Sequence, residues 1–211
     1  MKVKICGLNP ARDVQLCIDL KVDFLGFVFY DKSPRNIDLE NVNQLKKYDK
    51  KKTSFVAVTV NPDNQFIENV VSKNFDFIQL HGTETERRVA EIKSKGLKVI
   101  KTIKVKDEAD IDNYKNYGLA DIILFDTPGM EKSIEFPKNL ILKIPKGDKY
   151  ALAGSISESN IENIAKLGIN FFDLSSSLES DTQIGYKDHQ KIKKFIEKVN
   201  ELKNKKKYSS N

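Results

Sequence analysis

The chain has 211 residues, 39% of them apolar and 31% charged, which suits one soluble domain with a sizeable core or two small ones at most. No apolar run approaches the ~18 residues that span a bilayer; MKVKICGLNPARD lacks the apolar core of a signal peptide, and Cys6 and Cys17 make no disulfide framework, so a cytoplasmic protein is expected. Of the net charge of +6, four lysines (Lys203, Lys205, Lys206 and Lys207) sit in the last nine residues, and all but four of the 36 basic residues are scattered lysines; this argues against a nucleic-acid or membrane partner.

Short runs rich in β-branched or aromatic residues recur roughly every 20–30 residues, with helix-period stretches between them. The first is VKIC (3–6), followed by Asn9-Pro10 and a helical stretch over 11–20 with Val14, Cys17 and Ile18 on one face. FLGFVF (24–29) and SFVAVTV (54–60) come next. Asn61-Pro62-Asp63 opens a helix carrying Phe66, Val70 and Val71 ahead of FDFIQL (75–80). Thr83 and Glu86 have capping-box spacing before Val89 and Ile92, and Gly96 stops that helix. LKVIKTI (97–103) and DIILFD (121–126) precede residues 127–137, where one glycine, two prolines and little apolar period predict a long loop with a short helix or none. YALAG (150–154) leads to Ser157 and a helix through Ile161, Ile164 and Leu167, ended by Gly168. FFDLSS (171–176) leads to Tyr186-Lys187-Asp188 and a last helix through Ile192, Phe195, Ile196 and Val199.

Runs that are apolar nearly throughout suit parallel strands covered by helices. Eight strand–helix units favour a single-domain α/β fold, a (β/α)8 TIM barrel over residues 1–202, at the short end for that fold. An open doubly wound sheet would want fewer strands and a glycine-rich turn after the first, and KICGLNP has one glycine. The Lys-rich segment 203–211, KNKKKYSSN, has no apolar face and is expected to be a disordered tail.

In such a barrel the chemistry sits at the C-terminal strand ends and in the loops that follow. Those places hold Cys6 on the first strand, Arg35 in the loop after the second, Gln79 and His81 at the fourth and Asp126 at the sixth. Gly154 and Ser155 follow the seventh strand; Asp173, Ser175, Ser176 and Ser177 lie on and after the eighth. Small residues after the last two strands let backbone N–H groups approach an anion, which makes them a candidate phosphate site. Singly, each residue has a structural reading. A cysteine is commonly a small buried hydrophobe, as Cys17 is read here; an aspartate caps a helix; serines make turns. Their convergence on one rim favours a site.

At these residues the sequence resembles the phosphoribosylanthranilate isomerase family, from Val3 to about Val199. KICGL resembles the family's Lys-Ile-Cys-Gly opening, and LGFVFYDKSPRNI its Ser-Pro-Arg segment. FIQLHGTE resembles its Gln-Leu-His-Gly block, ILFDT its acidic strand end, and LSSSLES with IGYKD its Ser-Ser-Gly-Val-Glu and Pro-Gly-Lys-Asp ending. The order and spacing of the first three motifs make the resemblance specific.

The resemblance implies a barrel with no cofactor or metal and an Amadori rearrangement of a small phosphoribosyl substrate, in a monomer or weak homodimer. An acid protonates the furanose oxygen so that the ring opens to an iminium. A base then takes the C2′ proton, and the enolamine tautomerises to the ketose. By the resemblance, Asp126 is the acid and Cys6 the base; Arg35 binds the anthranilate carboxylate, His81 supports the mouth and Asp173 meets a sugar hydroxyl. Gly154, Ser155, Ser175, Ser176 and Ser177 would hold the phosphate. A free thiol near pKa 8.5 is only about 3% thiolate at pH 7, so Cys6 needs a nearby cation, and Lys4 lies on the same strand face.

The chain departs from the family pattern after the sixth strand. PGMEKSIEF (128–136) keeps Lys132, Ser133, Glu135 and Phe136 but few glycines, and Ser155 and Ser177 stand where the family has glycine. Two other readings remain open on sequence alone: a non-catalytic sugar-phosphate-binding barrel, and a related barrel isomerase acting on another phosphoribosyl amine.

Overall fold

The computed structural model describes residues 1–128 and 136–208. Its strands are β1 (Lys2–Cys6), β2 (Phe24–Phe29), β3 (Ser54–Thr59), β4 (Phe77–Leu80), β5 (Lys98–Lys104), β6 (Ile122–Asp126), β7 (Tyr150–Leu152) and β8 (Phe171–Leu174). All pair in parallel in chain order, and β8 closes onto β1, as the eight-unit reading predicted.

Both faces of the sheet are buried, which is why the runs read as apolar throughout. Inside the barrel, Phe24, Val56, Phe77, Ile100, Ile122 and Phe171 interdigitate. Phe24 stacks on Phe171 at 5.0 Å and meets Phe77 edge-on at 5.4 Å, so truncating Phe171 would leave a cavity costing about 3–5 kcal/mol. The outward residues, such as Ile5, Leu25, Phe27 and Phe55, pack against the helical layer. On β1 the inward positions are Lys4 and Cys6, two residues apart on one face.

The helices deviate in instructive ways. α1 (Val14–Asp19) starts later than the 11–20 stretch predicted, because Asn9 holds the preceding turn: its side chain accepts from the Ala11 N–H at 3.0 Å and its carbonyl from the Asp13 N–H at 3.0 Å. α2 (Leu39–Leu45) was not singled out in the sequence. Asp63 caps the next segment through the Phe66 N–H, and the chain runs through α3 (Asn64–Phe66), a π turn (Ile67–Val71) and α4 (Ser72–Asn74). Thr85, not Thr83, caps α5 (Glu86–Lys93) by accepting from the Arg88 N–H. The Thr83 N–H is committed elsewhere, to Asn61 Oδ1 at 3.0 Å.

α6 (Glu108–Ile111) opens on a capping box of Asp107 and Asp110. α7 (Lys138–Lys143) is the short helix expected after the sixth strand, and α8 (Ile161–Lys166) ends at Gly168. α9 (His189–Tyr208) corrects the expectation for 203–211: the helix continues past Leu202 to Tyr208, and 209–211 lie outside the described residues. Extending a helix already anchored by Ile192, Phe195 and Val199 adds a hydrogen bond per residue, and lysine is a good helix former. Among the described residues no helix is long and apolar enough to cross a membrane.

Candidate active site

The C-terminal mouth of the barrel opens into a cavity of about 450 Å³. It is lined by every candidate named above: Cys6, Arg35, Gln79, His81, Asp126, Gly154, Ser155, Asp173, Ser175, Ser176 and Ser177. Strand register delivers them. Lys4 lies opposite Asp173 on the β1–β8 seam, and Cys6 lies opposite Gly26 on the β1–β2 seam. Asp126 ends β6, and His81 follows β4 directly, its N–H donating to the Thr59 carbonyl at 2.9 Å.

Lys4 is fully buried in the barrel, and its Nζ donates to both carboxylate oxygens of Asp173 at 3.0 Å. Asp173, expected to meet a sugar hydroxyl, therefore already has both oxygens engaged. Burial pulls the Lys4 ammonium down, but Asp173 and Cys6 outweigh it, so its pKa lies above the ordinary lysine value. Burial drives Asp173 towards the neutral acid and Lys4 draws it back; with Nζ equidistant from both oxygens, the ion pair is the form this geometry holds.

The expected cation beside Cys6 is present: Lys4 Nζ and Cys6 Sγ flank Gly26, and the lysine charge favours the thiolate. It does not win outright. Burial pushes the thiol above the ordinary cysteine value, Asp173 adds to that, and Lys4 and Lys187 oppose it. Gly26 leaves room for both side chains, since a Cβ there would lie 3.1 Å from Cys6 Sγ and 3.2 Å from Lys4 Nζ. Cys17 is buried under α1 and pushed up to about 12 by burial, in keeping with a packing residue.

Across the mouth, His81 Nε2 lies 3.3 Å from Asp126 Oδ2, both partly open to solvent. His81, read as a support of the mouth, is thus placed beside Asp126. Lys104, the register partner of Asp126 on β5, also lines the cavity.

Arg35 reaches the mouth over Gly7, whose positive φ of +75° and missing side chain leave space for it. Its guanidinium is not an unengaged fork. Nε and Nη2 bind the two oxygens of Glu179 at 2.6 and 2.9 Å, and Lys187 Nζ binds the same carboxylate at 2.9 Å. Burial raises the Glu179 carboxyl, but Arg35 and Lys187 override it and hold it down at about 2. The sequence reading missed both Glu179 and Lys187. Their signal lay in the LSSSLES and IGYKD motifs, of which only the serines were used.

The small residues read as a phosphate site all line the cavity. Gly154 and Ser155 follow β7 with φ of +103° and +44°, so Ser155 keeps a left-handed backbone despite its Cβ. Ser175, Ser176 and Ser177 lead into a short 3-10 turn (Ser176–Leu178). Of the residues read after the sixth strand, Lys132, Ser133 and Glu135 lie outside the described residues, and Phe136 is buried in the core.

Comparisons with known proteins agree with this geometry. The family profile described as N-(5'-phosphoribosyl)anthranilate (PRA) isomerase matches residues 3–198. A relative from Sinorhizobium medicae, named N-(5'-phosphoribosyl)anthranilate isomerase, is 34% identical over 94% of this chain and 96% of its own. One of the same name from Thermoanaerobacter pseudethanolicus is 35% identical over 94% of this chain and 98% of its own. The crystal structure of phosphoribosyl anthranilate isomerase from Thermotoga maritima superposes with a TM-score of 0.83 at 30% identity, over 95% of this chain and 98% of that one. Another such isomerase, solved with reduced 1-(o-carboxyphenylamino)-1-deoxyribulose 5-phosphate, gives 0.80 at 29% identity over 95% and 98% of the two chains. The chain belongs to the N-(5'-phosphoribosyl)anthranilate isomerase family.

Proposed function

We propose that this barrel isomerises N-(5'-phosphoribosyl)anthranilate to 1-(2-carboxyphenylamino)-1-deoxyribulose 5-phosphate, a step on the route from anthranilate to tryptophan. The observation that carries the residue assignment is that Cys6 and Asp126 face one cavity from β1 and β6, each beside its own partner, Lys4 and His81.

Asp126 donates its proton to the furanose ring oxygen, and the C1′–O bond breaks as the anthranilate nitrogen lone pair forms the iminium. Cys6, as thiolate, takes the proton from C2′, and the electron pair moves to neutralise the iminium, leaving an enolamine. Tautomerisation returns a proton to C1′ and makes the C2′ ketone, so no atom or electron is gained overall. The buried ammonium of Lys4 stabilises the thiolate, and the substrate iminium favours it further. His81 orients the Asp126 carboxyl. Arg35, at the edge of the cavity, takes the anthranilate carboxylate, and Asp173 faces the sugar through its Lys4 pair. Gly154, Ser155, Ser175, Ser176 and Ser177 take the phosphate with backbone N–H groups and hydroxyls.

We take the protein to act as a monomer or a weak homodimer in a reducing cytoplasm, where Cys6 is a free thiol. The decisive experiment is complementation of a tryptophan auxotroph lacking this isomerase, with turnover of the phosphoribosyl substrate by purified protein. Growth and turnover are expected; failure of well-expressed, folded protein in both would overturn the reading.

A further inference from the structure

Behind the rim lies a charged pair, Glu179 and Lys187, that is not among the residues lining the cavity. Glu179 and Lys187 form an isolated antiparallel bridge, tightened by Ser180 N–H to the Tyr186 carbonyl at 2.7 Å and Asp188 N–H to the Leu178 carbonyl at 2.9 Å. The bridge folds the 179–187 loop back on itself and brings the Lys187 ammonium, fully buried, to the centre of the cluster. Its Nζ donates to Glu179 Oε1 at 2.9 Å and to the Ser175 carbonyl at 3.0 Å. The Ser175 hydroxyl in turn donates to the Cys6 carbonyl at 3.2 Å. Glu179 is the carboxylate that grips Arg35. From α9, Lys191 Nζ donates to the Glu179 carbonyl at 2.9 Å and fixes the far side of the bridge.

We propose that Lys187 is a positioning residue that locks the base and the substrate-facing arginine into one unit, setting Arg35 through Glu179 and Cys6 through Ser175. The proposal rests on the isomerase reading and extends it to a residue outside the cavity. Two cations share one buried carboxylate, so the cluster carries a surplus positive charge behind the rim, where an anionic substrate settles. Burying an ammonium is costly, and burial does pull Lys187 below the ordinary lysine value. The chain bears that cost at a point which joins β1, the loop after β2 and the loop after β8.

The charged and titratable groups facing Cys6 are Lys4 on its own strand, Asp173 on β8 and Lys187 ahead of α9. Removing the Lys187 charge should therefore disfavour the thiolate as well as loosen Arg35. The test compares wild type with Lys187→Met and Lys187→Arg. The first readout is the pH dependence of iodoacetamide alkylation at Cys6, with the label assigned by mass spectrometry; buried Cys17 is silent. The second is the split between KM and kcat on the phosphoribosyl substrate. In Lys187→Met the alkylation midpoint should rise by about half a pH unit or more, and KM should rise about 10-fold. Lys187→Arg should restore most of the alkylation midpoint.

Lys187→Met strands the Glu179 carboxylate beside Arg35 alone, so where folding suffers it is compared with Lys187→Met/Glu179→Gln, which leaves no carboxylate at position 179. That double variant should still show the raised KM. A folded variant of either kind with wild-type KM and an unmoved alkylation midpoint would overturn the proposal. Absence of turnover in the wild type would instead overturn the isomerase reading, and the alkylation arm would still decide the role of Lys187.

Discussion

The His81 imidazole and the Asp126 carboxylate, delivered by β4 and β6, meet at 3.3 Å on the rim of the barrel. Neighbours in sequence play no part in this pairing; strand register alone brings them together. If they act as one unit, their losses should not add. Asp126→Asn should lower kcat by about 10²–10⁴-fold, the usual worth of a general acid. His81→Ala should lower it about 10-fold by loosening the acid, with KM little changed. The double variant should be no slower than Asp126→Asn alone. Steady-state kinetics on the three proteins decides this, and multiplicative losses would show that His81 acts separately.

Gly26 tests the placing of Lys4 beside Cys6 without altering either residue. A Cβ there would also lie 3.2 Å from Cys6 Cα, so backbone and thiol are crowded together. Gly26→Ala should cost about 1–3 kcal/mol of stability by urea denaturation, the range for overpacking. It should also lower kcat, because the thiol and the ammonium are pushed apart. A folded variant with unchanged kcat would show that this spacing is not used.

Glu179 makes stability depend on acid. Its folded pKa is held at about 2, below its ordinary value of 4.5, by Arg35 and Lys187 acting against burial. A depressed carboxyl contributes stability that is fully present above the unfolded pKa and lost as pH falls through the folded one. The wild type should therefore lose stability between about pH 4.5 and 2 more steeply than Glu179→Gln does. Urea midpoints measured across that window give the comparison, and parallel slopes would rule the linkage out.

A second buried pair supports the turn that carries His81. Lys101 Nζ donates to Glu84 Oε2 at 2.8 Å and to the Gly82 carbonyl at 2.8 Å, while Glu84 Oε1 accepts from the Asn61 N–H at 2.7 Å. Lys101→Met strands Glu84 and should cost about 3–5 kcal/mol. Lys101→Met/Glu84→Gln should recover part of that loss in denaturation, yet still lower kcat because the Gly82 carbonyl has lost its donor. Full recovery of kcat would separate the turn from the chemistry.

The strands were legible because both of their faces are buried: FLGFVF and DIILFD are apolar at every position that packs. The rim residues were legible because strand ends follow from strand placement, and Cys6, His81 and Asp126 each end or follow a run. Partnerships were not. Nothing in the order of residues says that Arg35 is held by Glu179, or that Asp173 spends both oxygens on Lys4, since these contacts join positions more than a hundred apart. Thr83 misled for a related reason. Its capping-box spacing was real, but a contact with Asn61, on another loop, claimed it first. The tail misled because composition describes isolated segments, whereas residues 203–208 continue a helix already anchored in the core.

The seam between β1 and β8 has a consequence for biosynthesis. Lys4 and Asp173 are 169 positions apart, and Ser175 reaches the Cys6 carbonyl across the same interval. A nascent chain that has emerged only through β7 carries the thiol but none of Asp173, Ser175, Glu179 or Lys187. The proposed site is therefore completed only by the last strand and the loop that follows it, and a ribosome-stalled or C-terminally clipped chain holds Cys6 without these partners.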